Sequence, residues 1–255
     1  MSEDINALKA NAVTRLTTFM DSLDSKHQKI MAYWIRDYVR FLEQESSTDF
    51  SRLIRYKRGS IVKAHLGYRI GSEEGGLHYA IVLDVHNDRS SSTATIIPLT
   101  SIKPDTDLEH LHRSRVFLGD EIYQALNKKL SSAQSDMAKI VSNLEVRLDR
   151  LEKIPFDPTS EDFAVQCAER RTEMTIIRQQ IDIWKEKAAF VSKMKSEIAK
   201  MKRGSIALVG QITTISKIRI YDPLYPSDIL ANIRVSDQAL DKLDNKIKEL
   251  FLKPE

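Results

Sequence analysis

The sequence predicts an α+β protein in which a small sheet is combined with several long helices. Three short apolar segments within residues 57–101 have the length and the β-branched composition of strands. Apolar residues in residues 120–202 recur at alternating spacings of four and three, which is the heptad pattern of paired helices. Helical spacing also runs through residues 3–56, where Asp24 is a candidate N-cap. We therefore expect a sheet that one helical segment precedes and another interrupts.

The predicted strands enclose a long Gly-rich loop. They span residues 61–66, 79–85 and 95–99, and a fourth spans residues 116–118. In the first strand, Val62, Ala64 and Leu66 share one face because side chains alternate along a strand. Residues 67–76 form the Gly-rich loop, and residues 86–92 form a polar turn between the second and third strands. Long loops on small sheets often carry function, so the Gly-rich loop is the first candidate site.

The spacing of the second and third strands predicts the register of a hairpin. If these strands are antiparallel and the turn is centred on Arg89, residues at equal distances from Arg89 face each other. His78 and Thr100 are such a pair. Directly opposed residues share a face, with Cβ atoms about 4.5–5.5 Å apart. We expect both side chains at the open end of the hairpin, beside the Gly-rich loop.

Two blocks of this sequence carry the most specific motifs. The first is Gly-Ser-Glu-Glu-Gly-Gly at residues 71–76, followed by an apolar strand and by Ile-Pro-Leu-Thr-Ser at residues 97–101. The second is Gly-Ser-Ile-Ala-Leu-Val-Gly-Gln-Ile at residues 204–212, with Arg219 after it and a helix at residues 235–251. Both blocks and this helix resemble the PemK/MazF family of toxin endoribonucleases. The family has a catalytic Arg followed by Pro where this chain has His78 and Tyr79.

The resemblance implies a small SH3-like β-barrel of the PemK/MazF type. The barrel would comprise residues 57–119 and 204–255, with an N-terminal helical extension at residues 1–56. An antiparallel coiled-coil hairpin would be inserted at residues 120–203, and a C-terminal helix would end the chain. In the heptad pattern of that hairpin, Leu148, Cys167 and Met174 fall on the apolar seam.

The resemblance also implies a function. The chain would be the toxin of a type II toxin–antitoxin system, a metal-independent endoribonuclease that cuts single-stranded RNA at selected sequences. The 2′-OH would attack the adjacent phosphorus, leaving a 2′,3′-cyclic phosphate and a 5′-OH. The implied catalytic residues are His78, Thr100 and Glu73. The implied RNA-binding residues, which include candidates to replace the family's arginine, are Arg69, Ser72, Gly75, Gly76, Ser101, Gln211 and Arg219.

We expect a homodimer that binds RNA, a cognate antitoxin and, as a further nucleic acid, DNA. The alternative is a non-catalytic RNA- or protein-binding module that keeps the barrel and uses the coiled coil as its interaction arm. In that arm the late part is rich in lysine, which favours contact with RNA as a subsidiary interpretation.

Composition limits which cellular locations and which cofactors are plausible for this chain. The net charge of +3 is too small to indicate nucleic-acid binding by itself. Cys167 is the single cysteine, which excludes an internal disulfide and a four-Cys zinc site. His110 and His112 are only two apart, but no further Cys or His cluster supplies the other ligands of a metal. The acidic start, residues 1–4, and the lack of an apolar run of about 20 residues predict a cytoplasmic protein without a cofactor or a membrane segment.

Overall fold

The structure is a computed structural model that describes residues 4–253. The predictions made for residues 1–3 and 254–255 lie outside the described residues. Helices and an antiparallel sheet are both present, so the predicted α+β class is confirmed. In the described residues the helices are α1 (Ile5–Asp21), α2 (Ser25–Glu45), α3 (Glu121–Lys153), α4 (Phe163–Lys200) and α5 (Asp237–Phe251).

Helices α2 and α5 begin where short polar side chains cap them. The carboxylate of Asp24 accepts hydrogen bonds from the backbone N–H groups of Lys26 and His27, at 3.0 and 3.1 Å. Ser236 accepts one from Ala239 in the same way. Each cap satisfies a backbone donor that the first turn of a helix leaves without an intrahelical partner. The capping role predicted for Asp24 is therefore confirmed.

Seven strands form the sheet in the described residues: β1 (Ile61–His65), β2 (Leu77–Val82), β3 (Thr93–Ser101), β4 (Arg115–Gly119), β5 (Ser205–Leu208), β6 (Thr213–Ser216) and β7 (Ile220–Asp222). Their order is β4-β5-β3-β2-β1-β7, and β6 pairs with β3 beside this path. Strands β4 and β7 are the two ends of the path, so the pairing within residues 4–253 does not close the sheet. Closure into an SH3-like barrel stays a prediction.

The predicted hairpin register is confirmed. Opposed pairs of β2 and β3 include Ala80 with Pro98 and Val82 with Ile96. Each pair is centred on residue 89, as the predicted pair of His78 and Thr100 is. Strand β2 begins two residues earlier than expected and so includes His78. The predicted inward face of β1 is also confirmed, because its residues lie in one buried cluster. This cluster contains Val62, Ala64, Ala80, Val82, Ala94 and Ile96, with Leu66 packed against it.

The chain divides into two compact units. The first contains the described residues up to Thr100, Glu109–Val116 and the described residues from Ala207 onward. The second contains Ser101–Leu108 and Phe117–Ile206, and thus both long helices. None of the helices in residues 4–253 is long and apolar enough to cross a membrane.

Within the second unit, α3 and α4 pack against each other along a seam that follows the heptad pattern, with Ile177, Val191 and Ile198 buried, and that departs from it at one level. Leu148 and Met174, both expected in the seam, are 47% and 41% exposed. Their neighbours Arg147 and Glu173 face inward instead, and Glu173 is only 4% exposed. Arg147 Nη1 donates to Glu173 Oε1 at 2.9 Å. The apolar pattern missed this departure because an ion pair, which pattern rules assign to the surface, occupies the seam.

The residue Cys167 is a free thiol of intermediate exposure in α4. It was predicted to be buried in the seam, but it lies at the margin of the seam instead. The pairing of α3 with α4 is observed, whereas the supercoil of a coiled coil stays a prediction.

We expect Arg147→Ala to destabilise the α3–α4 hairpin by about 1–3 kcal/mol, because it leaves the buried Glu173 carboxylate without its closest donor. Arg150, 3.9 Å from the same carboxylate, limits the loss. The measurement is urea unfolding followed by circular dichroism.

The double variant Arg147→Leu/Glu173→Leu is the control, since replacing both partners of a buried pair by apolar groups is often neutral or stabilising. Equal destabilisation of the single and double variants would mean that the ion pair does not hold the seam.

Candidate functional site

The Gly-rich loop is closed at its base by backbone hydrogen bonds that continue the β1–β2 ladder. The N–H of Leu66 donates to the carbonyl of Gly76, and the N–H of Gly76 donates to the carbonyl of Gly67, both at 2.7 Å. Gly67 and Gly76 have φ angles of +104° and +85°, which favour glycine. At Gly75, a Cβ atom would lie 2.8 Å from the backbone nitrogen of Arg69, so only glycine fits there without a shift.

Glu73 is bonded within the loop. Its Oε2 accepts a hydrogen bond from the N–H of Ile70 at 3.2 Å, and its own N–H donates to the carbonyl of Ile70 at 3.3 Å. The side chain is exposed. These two bonds hold the tip of the loop in one turn, so Glu73 contributes to the shape of the site.

Gln211 joins the loop to the short turn that follows β5. Its Nε2 donates to the carbonyl of Ser72 at 3.2 Å, and its Oε1 accepts from the N–H of Glu74 at 2.6 Å. One amide group thus bonds two backbone groups of the loop. The structure thus brings together two predicted site residues, Gln211 and Ser72.

His78 lies at the start of β2 with both ring nitrogens next to oxygen atoms. Nε2 is 3.1 Å from Glu74 Oε1, and Nδ1 is 3.2 Å from the carbonyl oxygen of Leu99. The side chains of His78 and Glu74 are 26% and 27% exposed, so solvent reaches both. The register of β2 and β3, continued by two residues, places Thr100 opposite His78. This pair of His78 and Glu74 is the centre of the candidate site.

Two cavities adjoin this pair. The loop–turn cavity, about 530 Å³, lies between the loop and the turn at Gln211, and Glu73, Pro98 and Thr213 also line it. The helix–loop cavity, about 520 Å³, lies between α2 and the loop. Glu74 lines both cavities. The helix–loop cavity is lined by Lys26, His27, Ile30, Tyr33, His65, Gly67, Tyr68, Arg69, Glu74, Gly75, Gly76, Leu77 and His78.

Helix α2 is held over the end of β1 by a stack of side chains. The ring of Trp34 stacks on that of His65, with centroids 4.7 Å apart. The Arg219 guanidinium lies 5.7 Å from the Trp34 ring centre, and its Nε donates to the carbonyl of His65 at 2.8 Å. A side chain at Gly67 would press against both Trp34 and Arg219. These contacts fix the α2 wall of the helix–loop cavity.

A second group of polar contacts reinforces α2. The buried carboxylate of Asp37 accepts hydrogen bonds from the Tyr221 hydroxyl at 3.0 Å and from Arg36 at 2.9 Å. Arg40 donates to the Tyr221 hydroxyl at 2.6 Å. Burial alone would raise the pKa of Asp37, but the bonds from Arg36 and Tyr221 bring that pKa below its usual value. The ionised carboxylate is therefore the stable form at this contact.

The predicted site residues divide between these places. Ser72, Glu73 and Gln211 surround the loop–turn cavity, whereas Arg69, Gly75, Gly76 and His78 line the helix–loop cavity. Arg219 lines neither cavity and is bonded to His65 instead. Ser101 is the last residue of β3 and belongs to the second compact unit.

Sequence reasoning missed Glu74, the Leu99 carbonyl and the α2 residues of the helix–loop cavity. Glu74 precedes His78 by four residues, but that spacing brings side chains together only on a helix, and here it spans a loop. The contribution of α2 had no signal in the sequence, since it depends on long-range packing.

Metal independence stays a prediction. In residues 4–253, no group of three or more His, Cys, Asp or Glu side chains is arranged to hold a metal ion. His112, one of the two loop histidines, has its Nδ1 2.8 Å from the hydroxyl oxygen of Ser114.

Comparison with known families finds a match over part of the chain. Residues 57–159 match the family described as PemK-like, MazF-like toxin of type II toxin-antitoxin system. The resemblance to the PemK/MazF family is therefore confirmed for this segment, which contains β1 to β4, the Gly-rich loop and α3. The resemblance of residues 204–212 and of α5 lies beyond the match and stays a prediction. No curated protein matches the chain.

We expect Gln211→Ala to loosen the Gly-rich loop, because both bonds to its backbone are lost. Each such bond contributes about 1 kcal/mol, so amide exchange at residues 72–76 should accelerate about 5- to 30-fold. Hydrogen exchange measured by mass spectrometry reports this.

Gln211→Glu is the matched control, since it keeps the acceptor for Glu74 and loses only the donor to Ser72. It should have an intermediate effect. Exchange that is unchanged in Gln211→Ala would mean that the loop holds its shape alone.

We expect stability to depend on pH through His65. Burial lowers the pKa of His65 below the ordinary value, so below about pH 6.5 the unfolded chain takes up a proton that the folded chain resists. The free energy of unfolding should therefore fall as the pH falls from about 7 to 5. Urea unfolding at several pH values measures this, and His65→Phe, which keeps a ring under Trp34, should reduce the dependence. An identical pH dependence in wild type and His65→Phe would contradict this role.

Proposed function

We propose that the protein is the toxin component of a type II toxin–antitoxin system and that it acts as a metal-independent endoribonuclease on single-stranded RNA. The match of residues 57–159 to a family of such toxins supports the toxin role. The observation that carries the enzymatic part is the position of His78. This residue stands where the family has its catalytic arginine, contacts Glu74 and the Leu99 carbonyl, and lines a cavity of ligand size.

RNA can be cut without a metal because its own 2′-OH is the nucleophile. As the O–P bond to the 2′ oxygen forms, the bond to the 5′ oxygen breaks, which gives a 2′,3′-cyclic phosphate and a 5′-OH. The protein must accept the proton of the 2′-OH, return one to the 5′ oxygen and stabilise charge on the phosphoryl oxygens. A small set of polar side chains around one phosphate is sufficient for this chemistry.

His78 is the group proposed to transfer the proton. Imidazole both gives and accepts protons near neutral pH, whereas the guanidinium of arginine stays protonated. The Glu74 carboxylate, 3.1 Å from Nε2, stabilises the imidazolium that forms when His78 accepts a proton. The Leu99 carbonyl accepts from Nδ1 and fixes the ring orientation. Glu74 is thus a positioning residue in this proposal.

The other predicted residues would bind the RNA around His78. Thr100, opposite His78 by register, donates its hydroxyl to a phosphoryl oxygen, and Arg69 supplies positive charge from the loop. The hydrogen bond from the Ile70 N–H holds the Glu73 carboxylate in one position. From that position, Glu73 would orient a base or a ribose hydroxyl. The N–H groups of Glu73, Glu74 and Gly76 already donate within the protein. The loop N–H proposed to donate to phosphate is therefore that of Gly75.

The rest of the proposal follows from the toxin class. An antitoxin would neutralise the toxin by occupying the RNA site, and the toxin would act in the cytoplasm as a homodimer, the commonest form of soluble oligomer. A non-catalytic RNA-binding module is the second candidate. It is favoured by one observation, namely that both ring nitrogens of His78 already contact oxygen atoms of the protein.

Digestion of unstructured RNA in excess chelator, followed by analysis of the new ends, tests the activity. We expect cleavage to persist and to yield 2′,3′-cyclic phosphate and 5′-OH ends. A requirement for added Mg²⁺, or 5′-phosphate products, would contradict the mechanism. RNA that is bound but never cut would establish the second candidate instead.

We expect His78→Ala to lower the cleavage rate by about 10²–10⁴-fold with the fold intact, because a general acid or base contributes about that much. His78→Arg should recover part of the activity and should lose a pH-dependent limb of the wild-type rate, since arginine does not titrate there. His86→Ala, in the exposed polar turn, is the matched histidine control and should cleave like the wild type. If His78→Ala also cleaves like the wild type, the proton must be transferred by another group.

A further inference from the structure

Helix α2 lies outside the segment that matches the toxin family, yet it forms one wall of the helix–loop cavity. The match begins at residue 57, after α2 has ended. Lys26, His27, Ile30 and Tyr33, all from α2, face the Gly-rich loop across this cavity. The stack of Trp34 on His65 holds the helix in place. The wall is therefore an addition of this chain to the matched segment.

The chemistry of the cavity suits an anion. Lys26 and Arg69 bring fixed positive charge, and the imidazole rings of His27, His65 and His78 also line it. Glu74 is the single carboxylate among the lining residues, and His78 contacts it. A phosphate that enters the cavity would meet donors on both walls.

The cavity also offers aromatic surface. Tyr33 on α2 and Tyr68 in the loop both line it. Tyr33 is 47% exposed, with the guanidinium of Arg36 4.8 Å and the ammonium of Lys29 5.9 Å from its ring centre. Bases of single-stranded RNA stack on such rings whatever their sequence. A phosphate site with adjacent aromatic rings fits a nucleotide better than it fits an acidic peptide, which has no flat ring to place there.

We propose that the helix–loop cavity binds one unpaired nucleotide of the RNA, on one side of the bond that is cut. Its base would stack on Tyr33, and Lys26 and Arg69 would bind its phosphate. The volume of about 520 Å³ lies within the usual range for small-ligand sites. This inference rests on the proposed ribonuclease function and adds to it a nucleotide subsite built by α2.

The position of the cleaved bond follows from the wall that the cavities share. Glu74 lines both the helix–loop cavity and the loop–turn cavity, and His78 contacts Glu74. A strand of RNA that places one nucleotide in each cavity therefore crosses the His78–Glu74 pair. The phosphate between these nucleotides is the one that His78 reaches.

Fluorescence of Trp34 can report binding in this cavity without any cleavage. Trp34 and Trp184 are the two tryptophans of the chain, so Trp184→Phe leaves Trp34, which stacks on His65 of the cavity, as the only reporter. The probes are the four nucleoside 3′-monophosphates, each titrated into the full-length Trp184→Phe protein. We expect saturable quenching by at least one of them.

Variants on the α2 wall then test the assignment. Tyr33→Ala should weaken nucleotide binding about 5-fold or more, since stacking of one base contributes about 1–3 kcal/mol. Tyr33→Phe keeps the ring and should bind like the parent. Lys26→Ala should weaken nucleotides but not the uncharged nucleosides. Lys9→Ala, an exposed lysine on α1 outside the cavity, should change neither.

The outcomes separate this inference from the proposed function. If RNA is cleaved but Tyr33→Ala and Lys26→Ala bind nucleotides and RNA like the parent, the subsite is wrong and the ribonuclease stands. If nucleotides bind as expected but RNA is not cleaved, the ribonuclease is wrong, and the cavity is a nucleotide-binding site that adjoins no cleaved bond. Quenching by an acidic peptide but by none of the four nucleotides would overturn the inference and assign the cavity to a protein partner.

Discussion

The two backbone hydrogen bonds that join Gly76 to Leu66 and Gly67 constrain everything else at the site. They extend the β1–β2 ladder past the ends of both strands and leave eight residues, 68–75, to form a compact loop. Within that loop, the bond from Ile70 to Glu73 and the two bonds to Gln211 fix the tip and one side. The side chain of Glu74 can reach His78 only when the loop is closed in this way. Both cavities share that closed loop as a wall, so its opening would remove the site as a whole.

Helix α2 is the second constraint, and it depends on the first. Gly67 closes the loop with a φ angle of +104°, which favours glycine, and it also packs directly against Trp34 and Arg219. The same backbone position thus lets the loop close and lets α2 approach β1. Arg219 holds the His65 carbonyl and faces the Trp34 ring, so its guanidinium contributes to this packing. Lys26 and Arg69 bring positive charge to the helix–loop cavity, which His78 also lines.

The parts that followed from the sequence are those governed by periodicity. Strand alternation and the symmetry of the turn around Arg89 predicted the β2–β3 register, and hence the place of His78 and Thr100. The contact of Glu74 with His78 could not be predicted from the sequence, because an irregular loop has no repeating pattern of side-chain directions. The position of α2 depends on long-range packing that a local pattern does not encode. The helical hairpin shows a local failure, because its period was right along most of the seam, but the ion pair of Arg147 and Glu173 takes the inward places expected for Leu148 and Met174.

The central claim is that Glu74 acts through His78, and a double-mutant cycle in single-turnover RNA cleavage tests it most directly. The four proteins are the wild type, Glu74→Gln, His78→Ala and the double variant. Groups that work as a unit are strongly non-additive. The account predicts that Glu74→Gln slows cleavage when His78 is present and has no effect when His78 is alanine. An equal fold-change from Glu74→Gln in both backgrounds would contradict it, because Glu74 would then act independently of the histidine.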